Sequence, residues 1–365
     1  MSTLLEKVYG AVAATNCAAA MAVITEGWSW QDIEARFGHI DDFIEFETEE
    51  RVWDPGWGPA WHSRAYAHRR GMTEDGIEGQ RLCATAVIEK GGRIDVWDLA
   101  RVWVRDIQPD KFGYHLGGQD QTIYYLLKAG MPPTETGRYA PQPGSSDTGK
   151  TMLPIGIVNA GDPRQAALDV YDVGRYRDVA HHAFNFGLEC AAANQAGVAE
   201  ALRPTASKES VMATMLSCLS ETSRREVLWA LDMAGRYPDP LDLRKVFHEK
   251  YAGRPPSNAV EVLAEACALL QVCNWDPARI CIAAANLGRG GASAGVYANG
   301  LAGALMGVGA LPSEWIETVD KATAEDPHTV SRRSLRETAE GLYRALQNEI
   351  AKTKRWMGEV EQQMR

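Results

Sequence analysis

Residues 286–311 read NLGRGGASAGVYANGLAGALMGVGAL, a run of glycine, alanine and small apolar residues with no carboxylate and a single charge, Arg289. A glycine-rich loop would offer backbone N–H groups to phosphate, whereas a close-packed helix would bind nothing by itself. The stretch divides. Residues 295–306 carry helical spacing, with Ala298, Gly300, Ala302 and Gly303 leaving room for a neighbour's backbone, and residues 289–293 form the loop before it. An equally small-faced segment, VYGAVAATNCAAAMAVI at 8–24, is the natural partner. Two such faces require a helical core.

The rest of the chain agrees with an all-α fold. Apolar residues recur at three and four spacing in 77–90, 94–105, 165–202, 207–217, 224–234, 259–271 and 277–286, and no run of β-branched alternation competes. Gly/Pro punctuation at 54–59, 130–143 and 254–257 reads as loops within one domain, residues 1–328. From Leu335 the pattern is amphipathic: Leu335, Ala339, Leu342 and Leu346, then Ile350, Thr353, Met357, Val360 and Met364. This is two heptad blocks joined by a stutter, so residues 329–365 form a C-terminal amphipathic helix that either caps the domain or pairs two copies as a homodimer.

With 48 acidic against 38 basic residues, net charge -10 and no long basic run, the chain lacks the electrostatic footprint of a nucleic-acid binder. The seven cysteines contain no C-x-x-C pair and fall mostly in Ala/Leu-rich helical patterns, as buried thiols of a reducing compartment do. The apolar segment at 8–24 is interrupted by Thr15 and Asn16 and preceded by Glu6, so it reads as a buried first helix instead of a signal peptide or a membrane span. The expected location is cytoplasmic, with no membrane partner.

Residues 144–151, GSSDTGKT, match the phosphate-loop pattern G-x-x-x-x-G-K-[ST]. That chemistry needs a strand leading in and a long helix leading out. The entry RYAPQP cannot be a central strand, and Pro154 breaks the helix after one turn, so the match is read as a Ser/Gly/Thr loop.

Three separated pieces form a more informative constellation: YGAVAATNCAAAMAVITEGWSW, with Glu26, Gly27 and Trp28 after a small-residue helix; RRGMTEDGIEGQ, with Thr73, Glu74 and Asp75 before a helix; and the 286–311 stretch followed by Pro312 to Trp315. Their order and spacing over about 300 residues, with LPIGIVNAGDP between, resemble the ADP-ribosylglycohydrolase family of the dinitrogenase-reductase-activating glycohydrolase type. That family carries G-x-x-x-G-D-A-x-G-x-x-x-E, T-D-D-T and D-x-D-T motifs. The resemblance implies an all-α fold and cleavage of an N- or O-glycosidic bond of ADP-ribose, assisted by two magnesium ions.

This chain departs from those motifs at most metal-binding positions. The family's D-x-D-T falls on Gly290, Gly291, Ala292 and Ser293, its G-D-A on Ala18, Ala19 and Ala20, and its T-D-D-T on Thr73, Glu74, Asp75 and Gly76. A single ion held weakly at Thr73, Glu74 and Asp75 is the most that these residues could offer magnesium, and a two-metal site needs ligands on both sides of a cleft. No cofactor is therefore expected, with one Mg2+ as the alternative.

Glycoside hydrolysis needs no metal where two carboxylates flank the bond. The resemblance points to Glu74, Asp75 and Glu26 as catalytic, and adjacent acids separate their pKa values. Read as structure alone, Glu74 and Asp75 supply negative charge to a helix N-terminus. Trp28, Trp30, Trp53, Trp57, Trp61 and Tyr66 crowd the same region, and Trp28 and Trp57 are the expected stacking contacts for a sugar or base. Thr73, Ser293, Asp120, Asn159 and Asn185 complete the expected substrate contacts. His181 and His182 lie about 100° apart on a helix, so at most one faces a site, and Asp162 is expected to cap a helix beginning at Pro163. Two functions remain open: a glycosidase acting on a small ribosyl, nucleoside-like or other sugar conjugate with little or no metal, and an inactive relative that binds or scaffolds.

Overall fold

A computed structural model describes residues 2–48, 66–112, 115–178 and 186–364. Among them are eighteen α-helices and a two-stranded antiparallel ribbon, Phe46–Thr48 with Tyr66–His68, the only departure from an all-α architecture.

The centre is a pair of helices, Leu4–Ala22 and Gly291–Met306, whose small faces meet. Thr3 starts the first with a capping box, its hydroxyl accepting the Glu6 N–H at 3.2 Å. A Cβ added to Gly10 would lie 2.5 Å from the Gly303 carbonyl oxygen, 2.6 Å from the Gly307 carbonyl carbon and 2.7 Å from the Val308 nitrogen. Backbone therefore packs directly on backbone, which only glycine allows there. The segment Leu4–Thr25 is long and apolar enough to cross a membrane, yet 94% of its apolar 18-residue window is buried inside the protein, as in a core helix.

Around this pair lie helices Asp75–Lys90, Phe186–Ala201, Ala259–Val272 and Pro277–Leu287. The periodicity across 165–202 is interrupted. Helix Pro163–Val173, capped by Asp162 at 3.0 Å from the Gln165 N–H, ends in a 3-10 turn at Gly174–Tyr176, and the next described helix begins at Phe186. The interruption turns Arg177 and Asp178 into the interior, where both are buried.

Helix Leu335–Gln363 divides along its length. Leu335, Ala339, Leu342, Ala345 and Leu346 are buried, with Gly341 against Ile88, and the Glu349 carboxylate accepts the Arg93 N–H at 3.1 Å. Beyond it Ile350, Trp356, Met357, Val360 and Met364 are exposed. The first heptad block caps the domain and the second stands off it.

All seven cysteines are free thiols, and all but Cys218 are buried. Burial pushes the Cys267 thiol up to about 12 and moves Cys17, Cys83 and Cys190 upward too.

Candidate active site

The site begins at the N-terminus of helix Asp75–Lys90. Glu74 is its N-cap: the side chain accepts the Gly76 N–H at 2.9 Å through Oε2, while Asp75 Oδ1 accepts the same N–H at 2.8 Å. The capping role and the site role thus coincide in one residue. Glu74 Oε1 is buried and makes no hydrogen bond.

Opposite these acids stands Lys150, from the segment read as a loop. Residues Asp147–Thr151 form a five-residue helix, and after it Pro154 sits in the first turn of Leu153–Val158. The lysine turns inward: Nζ donates to Glu74 Oε2 at 2.7 Å and to Asp75 Oδ1 at 3.3 Å, and lies 3.1 Å from Asp147 Oδ1. The lysine side chain is 2% exposed, which removes it from any phosphate. Its carbonyl accepts from Gln80 Nε2 at 3.1 Å, and Gln80 Oε1 accepts from Thr15 of the first helix at 3.3 Å, tying the short helix to the core pair. A Cβ on Gly76 would lie 2.6 Å from Lys150 Cδ and closer still to Cε, so the lysine's stem occupies the space a side chain at 76 would need.

The network continues inward. Arg177 donates to Asp147 Oδ2 at 2.9 Å and to Asp120 Oδ1 at 2.7 Å, while Asp178 accepts from Thr148 Oγ1 at 2.6 Å and from the Gly144 N–H at 3.0 Å. Burial pushes Asp75 well above the ordinary carboxylate range, with Asp147 and Glu74 adding to the push and Lys150 opposing it. Asp120 rises to about 6, from burial opposed by Arg177. Asp147 is equally buried, but Lys150 and Arg177 together outweigh burial and hold its carboxyl below the usual range. Burial disfavours the Lys150 charge, yet Asp75, Glu74, Asp147 and Glu26 outweigh it and keep the ammonium protonated.

Glu26, which ends the 3-10 turn Val23–Thr25, thus acts on the same ammonium as Glu74 and Asp75. Its loop is laced to the 289 loop, where the Gly27 N–H donates to the Arg289 carbonyl at 2.8 Å and the Arg289 N–H to the Trp28 carbonyl at 3.0 Å. Arg289, at φ 46°, turns its guanidinium to Glu261 at 2.7 Å. One helical turn on, Glu265 is fully buried with neither carboxylate oxygen hydrogen-bonded, and burial next to Glu261 pushes its pKa well up.

Thr73 is buried beside Glu74, and Asp120 joins the cage through Arg177. Ser293 is buried in the first turn of Gly291–Met306 with its hydroxyl unpartnered. Two expected contacts belong elsewhere. Trp28 is 2% exposed, 5.6 Å from the Phe37 ring with Arg36 over its face, which makes it a core ring and not an open stacking platform. Asn159 donates to Asp169 at 2.8 Å, in a network with Arg93 and Gln165. Trp57, Asn185, His181 and His182 lie outside the described residues. Sequence reasoning missed Lys150, Asp147, Arg177 and Asp178. For Asp147 and Lys150 the signal was an acid and a base three residues apart in 144–151; Arg177 and Asp178 carried none.

Ala19, the position at which the resemblance would set an early aspartate, packs in an apolar cluster with Ile77 and Val296. Magnesium wants near-octahedral oxygens and retains water. Here the Lys150 ammonium fills the space among Glu74, Asp75 and Asp147, and with that ammonium in place no three His, Cys, Asp or Glu side chains among the described residues are grouped to hold a metal. The residues present do not fit magnesium.

A pocket of about 390 Å³ opens next to the cage, lined by Pro141, Pro143, Gly144, Ser145, Ser257 and Asn258. Its Ser145 hydroxyl donates to Asp147 Oδ2 at 3.1 Å, linking the pocket wall to the ion network. A larger groove of about 710 Å³ runs past Trp97, Arg101 and Leu127 and shares no residue with the cage.

Among solved structures, a chain titled "ADP-ribosylglycohydrolase-related protein complex" superposes with a TM-score of 0.64 at 18% identity, covering 95% of this chain and 100% of that one, so the two share a fold. Comparison with curated proteins gave no match. The ADP-ribosylglycohydrolase family model matches residues 1–352. With nearly the whole length matched and the Glu26, Thr73–Asp75 and 290–304 segments gathered around one helical core, the chain belongs to the ADP-ribosylglycohydrolase family.

Proposed function

We propose that this member of a glycosidic-bond-hydrolysing family cleaves an N- or O-glycosidic bond of a small ribosyl, nucleoside-like or other sugar conjugate, using its own carboxylates without a divalent metal. The observation that carries this reading is the pair of acids at one helix start: burial shifts Asp75 toward its protonated form, and adjacent Glu74 keeps one oxygen without a hydrogen bond. Such a pair has the parts of an acid and a base.

In the reaction, Asp75 gives its proton to the departing oxygen or nitrogen as the glycosidic bond breaks. Positive charge develops on the anomeric carbon and ring oxygen, and the Glu74 and Glu26 carboxylates stabilise it. Water adds to the anomeric carbon and yields its proton to Glu74 Oε1. Lys150 keeps the several acids from repelling one another apart, holding Glu74 and Asp75 in fixed rotamers through its two hydrogen bonds. The substrate enters by the pocket at Gly144 and Ser145, whose size suits a sugar or nucleoside. The unpartnered Ser293 hydroxyl, Thr73 and Asp120 are the polar groups proposed to meet the sugar.

The second reading, an inactive relative that binds a ligand, is favoured by one observation: Glu74 and Asp75 are already engaged by Lys150. Incubation with nucleosides, ADP-ribose and aryl glycosides, with and without EDTA, separates the two. The enzyme reading expects turnover indifferent to EDTA and a loss of about a hundredfold or more in Glu74→Gln and Asp75→Asn. Binding without turnover across the panel supports the inactive relative, and turnover undiminished in both variants removes these acids from the mechanism.

A further inference from the structure

We infer that Lys150 is a built-in cation: its ammonium occupies the carboxylate cage that a divalent ion would otherwise fill, so the wild-type site excludes divalent metals and the charge they would supply is covalently attached to the chain. This deepens the metal-free reading of the site, yet it stands whether or not the protein turns over a substrate.

Three independent observations converge. The first is geometric. Nζ lies 2.7 Å from Glu74 Oε2, 3.3 Å from Asp75 Oδ1 and 3.1 Å from Asp147 Oδ1, and those oxygens come from two different helices closing on one point. A divalent ion at that point would stand within van der Waals contact of the nitrogen and of like charge to it, an arrangement that a buried site penalises heavily.

The second is steric. The methylene stem reaches the cage only because residue 76 is glycine: a Cβ there would meet both Cδ, at 2.6 Å, and Cε. The Lys150 backbone is held from the other side by Gln80, and a Cβ on neighbouring Gly149 would run into the Tyr297 hydroxyl, which donates to the Ser146 carbonyl at 2.9 Å. The short helix is thus pressed inward between Asp75–Lys90 and Gly291–Met306, and its lysine has no route to solvent.

The third is the remaining valence of the cage. Glu74 Oε1 is buried without a hydrogen bond, and Glu26 adds its field to the same ammonium. The donor set exceeds what one ammonium satisfies. Removing the ammonium therefore leaves an oxygen-lined cavity with a surplus of negative charge, which is what a hard divalent cation seeks.

The test is Mn(II) binding to the full chain, followed by the loss of the free-ion EPR signal, with Mg(II) as competitor. Wild type is expected to take up no stoichiometric Mn(II) at micromolar concentration. Lys150→Ala is expected to gain a single site, tighter than any wild-type binding by about a hundredfold and lost again in Lys150→Ala/Glu74→Gln. Should Lys150→Ala lose its fold in metal-free buffer, Mn(II) or Mg(II) is expected to raise its melting temperature while leaving that of wild type unchanged. Stoichiometric, EDTA-reversible Mn(II) binding by wild type overturns the inference. So does a Lys150→Ala chain that neither binds Mn(II) nor is stabilised by it. Because the readout is metal uptake, absence of turnover in the glycoside panel would sink the enzymatic reading and leave this one untouched.

Discussion

Gly10→Ala is the sharpest test of how the two central helices meet. The added methyl carbon would fall 2.5 Å from the Gly303 carbonyl oxygen, short of an ordinary 3.4 Å contact by about 0.9 Å. Its other near neighbours, the Gly307 carbonyl carbon and the Val308 nitrogen, are also backbone, so no side chain can rotate away. The helices must separate, and a gap of nearly 1 Å forfeits about a quarter to a half of each dispersion contact along the seam. Overpacking of this kind costs about 3 kcal/mol, offset by about 1 kcal/mol because alanine suits a helix interior better than glycine. The net loss is about 2 kcal/mol. With unfolding entropy near 2.1 cal/mol/K per residue, a 365-residue chain then melts about 3 °C lower. Differential scanning calorimetry reads the shift, and Gly358→Ala, where a Cβ meets nothing within 4 Å, serves as control and is expected to melt slightly higher. A Gly10→Ala chain that melts at or above wild type would refute the backbone contact.

Other expectations follow from the buried charges. Asp120 titrates at about 6 in the fold against an ordinary 3.8, so the stability it contributes is full below pH 3.8 and is lost as pH rises through 6. That loss amounts to about 3 kcal/mol, and Asp120→Asn should remove this slope from urea unfolding measured across pH 4 to 7. Asp326 behaves in the opposite sense: burial raises it, but the His115 hydrogen bond and charge outweigh burial and hold it at about 2, so its contribution is present above pH 3.8 and is lost as pH falls through 2. His115→Gln should therefore lower stability above pH 3.8 and flatten its fall in that window. Glu265, buried with both oxygens unbonded, costs stability where it stands. Glu265→Met should raise stability by about 1–3 kcal/mol in the same unfolding assay, and a loss would show that Glu265 has a partner in solution.

The helical core was legible from 286–311 and 8–24 because small residues at helical spacing leave a helix no option but close approach. The heptads after Leu335 were legible as a helix, and they were silent on which half would be covered, since that depends on where the Asp75–Lys90 helix ends. The packing of Trp28 against Phe37 was not legible, because proximity to Glu26 in sequence says nothing of which way a ring turns after a 3-10 turn. The bond from Asn159 to Asp169 was not legible either, because Asp169 lies on the next helix. Lys150 was the larger miss. Its segment was weighed only as a phosphate loop, and the failure of that reading hid the alternative that an acid and a base three apart on a short helix face inward together. Glycine at 76 was the visible clue, and its meaning required knowing which side chain passes over it.

The seven unpaired thiols have a practical meaning. With six of them sealed in the core, five in separate helices and Cys273 at the end of Ala259–Val272, and their ionisation suppressed, a thiol reagent meets only Cys218 while the protein is closed. Each other cysteine becomes reactive when its own neighbourhood opens. Cys17 reports on the first helix, Cys83 on the helix of the acid pair, and Cys267 and Cys281 on the helices that carry Glu265 and lead into the 289 loop. Mass-resolved alkylation over time would therefore order the opening of these units from a single native sample, using probes that the chain already carries at its core.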